Sequence, residues 1–438
     1  MSSKPIILGI NTVYHETSAC ILRGAEVLAF AEQERLNRVK RGKEAMVDNP
    51  DELPVDAILY CLDRAGVRWS EIDHVAVSFD PSLRDAPSDE PTSPGGWGTP
   101  EGEATFREHL LKLPSLVSEV ACLDLEDRWL WIPHERAHAA SAYFASPFQD
   151  AAVLSVDGIG EASTALLAHG RGTELHELDV VLYPHSLGFV WETLSTFLGF
   201  GEYHAGKVMA LASFGRAPEL AREFGQLVIR RNGSFEVAID ELLFRAAKFG
   251  PLEKRFGARR QPGDLLEPRH AALAAALQHS TEEILLDFAQ RLQHETGSEN
   301  LCLAGGVMLN CVALGRLLAE APFSEVFVQP VAHDAGTALG AALAALYAET
   351  GCTDRWVMES PYLGPEYSES EMQEALGAAE LSFRRSPDVA REAAQAIADG
   401  EIIGWFQGAA EAGPRALGNR SILADPRRAT SKDLINLK

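Results

Sequence analysis

No two cysteines in this 438-residue chain are spaced as C-x-x-C, and no apolar run approaches the roughly 18 residues a membrane helix needs. The six cysteines (Cys20, Cys61, Cys122, Cys302, Cys311, Cys352) are scattered. They read as reduced, mostly buried thiols of a cytoplasmic protein, not as a disulfide framework. Positive charge is also scarce: 39 Lys and Arg stand against 63 Asp and Glu, a formal net charge of −24. Such a surface disfavours nucleic acid and anionic membranes as main partners, while leaving room for a small anionic substrate in a locally basic pocket. A secretion signal is missing too. The start, MSSKPIILGINT, has too short an apolar stretch and reads as a first β-strand.

What is present is an ordinary globular composition, 46% hydrophobic and 23% charged, on a chain too long for one domain. Residues 6–12 read as a buried strand. SACILRGAEVLAFAEQER continues as two strands around a turn at Arg23–Gly24 and then a helix. The order strand, polar turn, strand, turn, strand recurs from residue 150, with HGRG at the second hairpin's tip, which suggests an internal duplication. The second half alternates: a helix over 269–297, a strand in ENLCLAGGV, a helix in MLNCVALGRLLAEA, a strand in SEVFVQP and a helix in GTALGAALAALYAET. That alternation predicts parallel α/β layering. Residues 85–106, rich in proline, glycine and acid, read as a surface loop or substrate lid. From Pro361 the composition turns to a linker. A third unit begins near residue 385, with a helix around Asp388–Ala398 and a strand in EIIGWFQ.

Six constellations carry possible chemistry. In PHERAHAASAYF, His134 and His138 are four apart, one helical turn, so both rings can face one way. They are either polar helix residues or two imidazoles for one ion, which then needs a carboxylate from elsewhere. Residues 134–138 read H-E-R-A-H and so fit the letters of H-E-x-x-H, but the letters alone do not make Glu135 the base of a zinc protease. In SVDGIGEAST a strand delivers Asp157 into a turn with Gly158, Gly160 and Glu161, either a plain turn or an anion or metal site. In LAGGVMLN, Gly305 and Gly306 end a strand before a helix, a cradle for an anion or nucleotide, with Asn310 facing the ligand. It is neither a Rossmann fingerprint nor a Walker loop. In PVAHDAGTALGAA, Asp334 precedes Gly336 at a helix start, as an N-terminal cap or as the missing carboxylate. His204 and Lys207 in GEYHAGKVMALASFG are a phosphate contact or loop surface. Arg415, Asn419 and Arg420 in FQGAAEAGPRALGNRS form the best local anion site.

Taken in order, ILGINTVYHETSA, PHERAHAASAYF, VDGIGE, GKVMALASFG, AGGVMLN, PVAHDAGTALGAA and GPRALGNRSILADPR resemble the O-carbamoyltransferases of antibiotic and nodulation-factor biosynthesis, over essentially the whole chain. The first part is also similar to the enzymes that make threonylcarbamoyl-adenosine on tRNA. The resemblance implies an α/β fold of two duplicated actin-like, sugar-kinase-like (ribonuclease-H-type) lobes, residues 1–149 and 150–360. A linker, 361–384, and an incomplete YrdC-like domain, 385–438, follow. It implies that carbamoyl phosphate and ATP, with Mg, give carbamoyl-adenylate. The carbamoyl group then passes to a hydroxyl of a small acceptor. It further implies a divalent metal, iron(II) or zinc, on His134, His138, Asp157 and Asp334. His15 would be the base, and Asp157 would serve the catalysis as well. Lys40 would line the transfer pocket, with Lys40 and Asn310 at the adenylate. Gly158, Gly160, Glu161, Lys207, Gly305, Gly306 and Gly336 would belong to the nucleotide site. Arg415, Asn419 and Arg420 would lie on the carbamoyl phosphate side.

Two features depart from the family pattern. Ala409 and Ala412 stand where an arginine and an aromatic are usual, and the sequence ends soon after that motif, so activation by this segment alone is not expected. The same superfamily leaves an ATP-dependent kinase or a tRNA-modifying enzyme as alternatives, the latter disfavoured by the acidic surface. A nucleotide-binding regulatory module with a structural metal is a third.

Overall fold

Ile6–Asn11 (β1) is buried at every position, and its chain turns back twice, through Ser18–Arg23 (β2) and Glu26–Glu32 (β3). The computed structural model describes residues 4–84, 92–217, 220–246 and 248–437. His74–Val77 (β4) and Trp129–Trp131 (β5) complete a five-stranded sheet in the order β3-β2-β1-β4-β5. The two hairpin pairings are antiparallel and the β1–β4 and β4–β5 pairings parallel. The same order returns further on. Asp150–Val156 (β6), Ser163–Arg171 (β7) and Glu174–Leu182 (β8) form the meander. After the small hairpin Val228–Arg231 (β9) and Ser234–Val237 (β10), Asn300–Ala304 (β11) and Glu325–Val328 (β12) add in parallel. The second sheet is ordered β8-β7-β6-β11-β12. Two lobes with one topology are a duplicated ribonuclease-H-type α/β fold, as in actin-like and sugar-kinase-like proteins.

The helix Ala335–Glu349 follows the second sheet in sequence but packs on β1 of the first. Its sequence, AGTALGAALAALYAE, explains this. Almost every side chain is small or apolar, and twelve of its residues are buried. A Cβ on Gly9 of β1 would lie 2.1 Å from the Ala338 carbonyl oxygen, and one on Gly340 would lie 1.7 Å from that of Ala137. Those two glycines let the helix backbone rest directly on the strand and on the helix His134–Tyr143.

Two expected loops are more ordered than their composition suggests. Within 85–106, residues 85–91 lie outside the described residues. From Thr99 the chain forms a helix, Pro100–Leu110, capped by the Thr99 hydroxyl accepting the Gly102 N–H at 3.0 Å. Phe106 is buried there, its ring centroid 5.0 Å from that of Trp97. The segment read as a linker contains the helix Glu369–Ala378, closed by a Ser368/Glu371 capping box.

The chain divides into two compact units, through Met358 and from Glu359. The second carries a two-stranded sheet, Ile403–Phe406 (β13) with Arg420–Leu423 (β14), and the helix Val389–Asp399. Its loop is organised by Glu411, whose buried Oε1 accepts the N–H groups of Leu417, Asn419 and Arg420. Among the described residues no helix is long and apolar enough to cross a membrane.

Replacing Gly340 by valine forces the two helices apart. The expected cost is about 1–3 kcal/mol or more of unfolding free energy, read from urea denaturation, with no comparable loss for Gly315→Val on the exposed face of the helix Cys311–Glu320, where nothing lies within 4 Å of an added Cβ.

Candidate metal centre

His134 is the first residue of its helix, and the residue before it, Pro133, has no side chain able to cap. The cap comes instead from Glu161, whose carboxylate accepts the His134 N–H at 3.0 and 3.2 Å and the Asp80 N–H at 2.7 Å. His138 follows one turn on, and both imidazoles are fully buried. The His134 Nδ1–H donates to the Ser78 carbonyl, 3.1 Å away, which leaves the Nε2 lone pair pointing inward. Asp157 arrives from the end of β6. Its Oδ1 accepts the Gly306 N–H at 2.7 Å, which frees Oδ2 for the same space. Asp334 arrives from the start of the Ala335–Glu349 helix and makes no side-chain capping bond, so its carboxylate also faces inward.

One ligand atom from each of His134, His138, Asp157 and Asp334 lies within 4.8 Å of the other three. The Nε2 atoms stand 3.6–3.9 Å from the nearer carboxylate oxygens, too far for hydrogen bonds. Both Nε2 atoms are buried without a partner. Ligand bonds of about 2.0–2.1 Å around one tetrahedral ion put neighbouring ligand atoms ~3.4 Å apart, close to what these side chains show. Orphaned imidazole nitrogens facing paired carboxylates fit a divalent cation and fit little else.

Protonation tells the same story. Burial draws His134 down, but Asp157 and Asp334 outweigh it and lift it to about 10. Burial and the nearby His134 cation hold His138 down to about 4. Burial and the Asp157 charge raise Asp334 to about 7. Asp157 stays below the usual carboxylate range, because the imidazoles and the Gly306 N–H outweigh its burial. Without an ion, protons occupy the place a cation would take. Glu135 stands apart: burial raises it to about 7, and its Oε2 accepts from the Ser155 hydroxyl at 2.6 Å.

Around this centre the structure sorts the other sequence candidates. His15 is near, its Nδ1 3.5 Å from Asp334 Oδ2 and 3.8 Å from Glu16. Lys40 is not brought there: its ammonium pairs with Glu34 at 3.2 Å and its side chain is 75% exposed. Its neighbour Arg41 reaches inward instead, 3.9 Å over the Tyr203 ring, and that ring stands edge-on to His15. Glu161 is not free for a nucleotide, since its carboxylate caps the His134 helix. Asn310 does not face a ligand either. It is the N-cap of the helix Cys311–Glu320, accepting the Ala313 N–H, and it pairs with Gln278. Gly160 and Gly336 are packing positions, where a Cβ would strike His134 Cβ at 2.9 Å and the Val331 oxygen at 2.0 Å. Gly305, at φ +93°, presses on Val156, and Gly306 on Asp157. Gly158 packs against Gly188, and Lys207 is exposed on the helix Ala205–Ala212.

In the second unit, Arg420 is a scaffold and not an anion hook. Its guanidinium donates to the carbonyls of Gln407, Asn419, Pro365 and Gly408 and stacks on Phe406. Asn419 donates to the Ala409 carbonyl, and Arg415 is exposed. Residues that sequence reasoning missed are Glu16, Arg41, Tyr203, His333 and Ser78. The adjacent pair His333–Asp334 was the only local signal, and Ser78 acts through its backbone, which no side-chain pattern reveals.

The family description "Carbamoyltransferase N-terminus" matches residues 95–343, more than half of the chain, and "Carbamoyltransferase C-terminus" matches 394–438. The chain belongs to the carbamoyltransferase family. Relatives include nodulation protein NolNO of Sinorhizobium fredii, 36% identical over 97% of this chain and 60% of that protein. The 3'-hydroxymethylcephem-O-carbamoyltransferase of Amycolatopsis lactamdurans is 31% identical over 69% of this chain and 56% of that enzyme. An uncharacterised Synechocystis protein is 34% identical over 99% and 73%. This carbamoyltransferase family member thus spans a little over half to about three quarters of the length of these relatives. Among solved structures, (R)-2-hydroxyglutaryl-CoA dehydratase component A of Acidaminococcus fermentans is 15% identical with a TM-score of 0.40, over 78% of this chain and 98% of its own.

His138→Ala removes one ligand without disturbing the helix start. Bound divalent metal, counted by mass spectrometry after loading with zinc or iron(II), is expected to fall from about one per chain to near zero. In the wild-type protein, binding displaces the His134 proton, and below about pH 7 that of Asp334 as well. Affinity therefore weakens as pH falls, and calorimetry in buffers of different ionisation enthalpy reads the released protons.

Proposed function

We propose that this protein transfers a carbamoyl group from carbamoyl-adenylate to a hydroxyl of a small acceptor, with the adenylate made from carbamoyl phosphate and ATP. The observation that carries the reading is the buried two-histidine, two-aspartate cluster with His15 at its edge, in a chain of the carbamoyltransferase family. A bound iron(II) or zinc would supply a Lewis acid that draws charge from the mixed anhydride.

The protein's own groups supply the rest. His15 turns Nδ1 toward Asp334 and Glu16, so an Nδ1–H is stabilised and Nε2 keeps its lone pair. Nε2 takes the acceptor O–H proton while the acceptor oxygen attacks the carbamoyl carbon. The bond from that carbon to the adenylate oxygen breaks, AMP leaves, and the new O–C bond is the carbamate ester. Arg41 lies on the same edge through Tyr203 and is placed to offset the negative charge of the phosphate. Arg415, on the exposed face of the second unit's loop, is the residue kept for the carbamoyl phosphate side.

His15→Asn is expected to lower transfer by about 10²–10⁴-fold with bound metal unchanged. The assay supplies carbamoyl-adenylate to the protein with a panel of hydroxylated small molecules and follows AMP and carbamoylated product together. Metal-loaded protein that forms no carbamate with any of them, while merely hydrolysing the adenylate, would refute transfer.

A further inference from the structure

Beside the metal centre is a half-buried cluster that the transfer chemistry does not use: Tyr14, Arg84, Trp97, Glu103 and Phe106. The Arg84 side chain is 7% exposed. Its Nε and Nη2 form a fork on the Glu103 carboxylate at 2.7 and 3.0 Å. Its Nη1 donates to the Tyr14 hydroxyl at 2.7 Å and to the Glu161 carbonyl at 2.9 Å, with the Gly160 carbonyl at 3.4 Å. The Tyr14 hydroxyl donates to the Gly160 carbonyl at 2.7 Å. The Tyr14 ring is stacked on Phe106 at 5.7 Å and set edge-on to Trp97 at 5.3 Å.

Burying a guanidinium is costly unless every donor finds a partner. Here the partners beyond Glu103 are a phenol and two backbone carbonyls of one turn. That turn is the one whose Glu161 carboxylate caps His134, and whose Gly160 leaves no space for a Cβ against the His134 side chain. Gly160 and Glu161 are therefore gripped from both sides, by their carbonyls on one and by the helix start on the other. Any slackening of the Arg84 grip moves the anchor of His134 itself, and metal ligation tolerates only about 0.2 Å.

We propose that Arg84 and Tyr14 are positioning residues of the metal centre, locking the Gly160–Glu161 turn so that His134 Nε2 is aimed at the ion. The proposal rests on reading the four buried side chains as metal ligands. It also assigns a task to residues 97–106, part of the segment 85–106 whose composition reads as a surface loop or substrate lid. Through Glu103, Trp97 and Phe106, that segment holds the arginine that holds the ligand.

The test titrates the metal-free full chain with cobalt(II) alone, reading affinity and the visible d–d bands, beside thermal unfolding. Arg84→Lys keeps the charge but loses the fork, and is expected to weaken cobalt binding by about 10–100-fold and to shift the bands. Tyr14→Phe removes one hydroxyl and is expected to weaken it by about fivefold with an unfolding midpoint close to wild type. Wild-type affinity and bands in both variants, whatever happens to thermal stability, would show the cluster to be packing only and overturn the proposal. Should Arg84→Lys fail to fold, Tyr14→Phe decides alone by the same criterion. A wild-type chain giving no cobalt bands, and no difference from His138→Ala, would defeat the metal reading itself and this proposal with it.

Discussion

The centre of this molecule depends on how closely two helices approach. The His134–Tyr143 helix carries two ligand candidates, and the Ala335–Glu349 helix begins at a third. Gly340 meets the backbone of Ala137 with no side chain between them, and Gly9 does the same for the strand beneath. An alanine-rich helix is needed here for its smallness, since larger residues would move Asp334 farther from the imidazoles than the 3.6–3.8 Å at which it now stands. Packing density far from any reacting atom thus sets the geometry of the cluster.

Once assembled, the cluster is electrostatically unfinished. Two buried carboxylates repel, and three imidazole nitrogens of His134 and His138 have no hydrogen-bond partner. Protons relieve the strain only in part, by raising Asp334 to about 7 and His134 to about 10. The surrounding polar groups are arranged to hold this state open and not to quench it. The Ser78 carbonyl fixes the tautomer of His134, the Gly306 N–H takes one oxygen of Asp157, and Thr337 binds both the Ser78 hydroxyl (2.8 Å) and the Asp334 carbonyl (2.6 Å). His134 and Asp157 are each held by one atom, which leaves another to face a bound ion.

The second unit shows a different use of charge. Glu411 is buried and gathers three N–H groups of the GPRALGNR segment, while Arg420 gathers carbonyls from four residues. A motif that looks like an anion-binding pair of arginines is, for Arg420, a frame. Of the residues marked there, Arg415 alone stays exposed.

The duplicated strand order, the helix bearing both histidines and the candidacy of Asp157 and of Asp334 were legible in the sequence, and their joining in one set was implied by the family resemblance. Each leaves a local trace: an apolar run closed by a polar turn, a four-residue spacing, an acid beside glycines where an element begins or ends. The residues misjudged from sequence have long side chains or work through their backbone. Lys40 and Arg41 are adjacent, and only the path of the chain decides which one turns inward. Glu161 and Asn310 sit in ligand-like patterns and are spent on helix starts instead. Acid and glycine content made residues 92–106 look solvated, yet Trp97 and Phe106 pull them onto Tyr14. By itself, then, the sequence determined the α/β alternation and a short set of candidate side chains, because both leave local patterns, while the lobe fold and the four-ligand set were implied by the family resemblance. Tertiary structure alone decided which of them meet, since that depends on the closeness of two helices separated by almost two hundred residues.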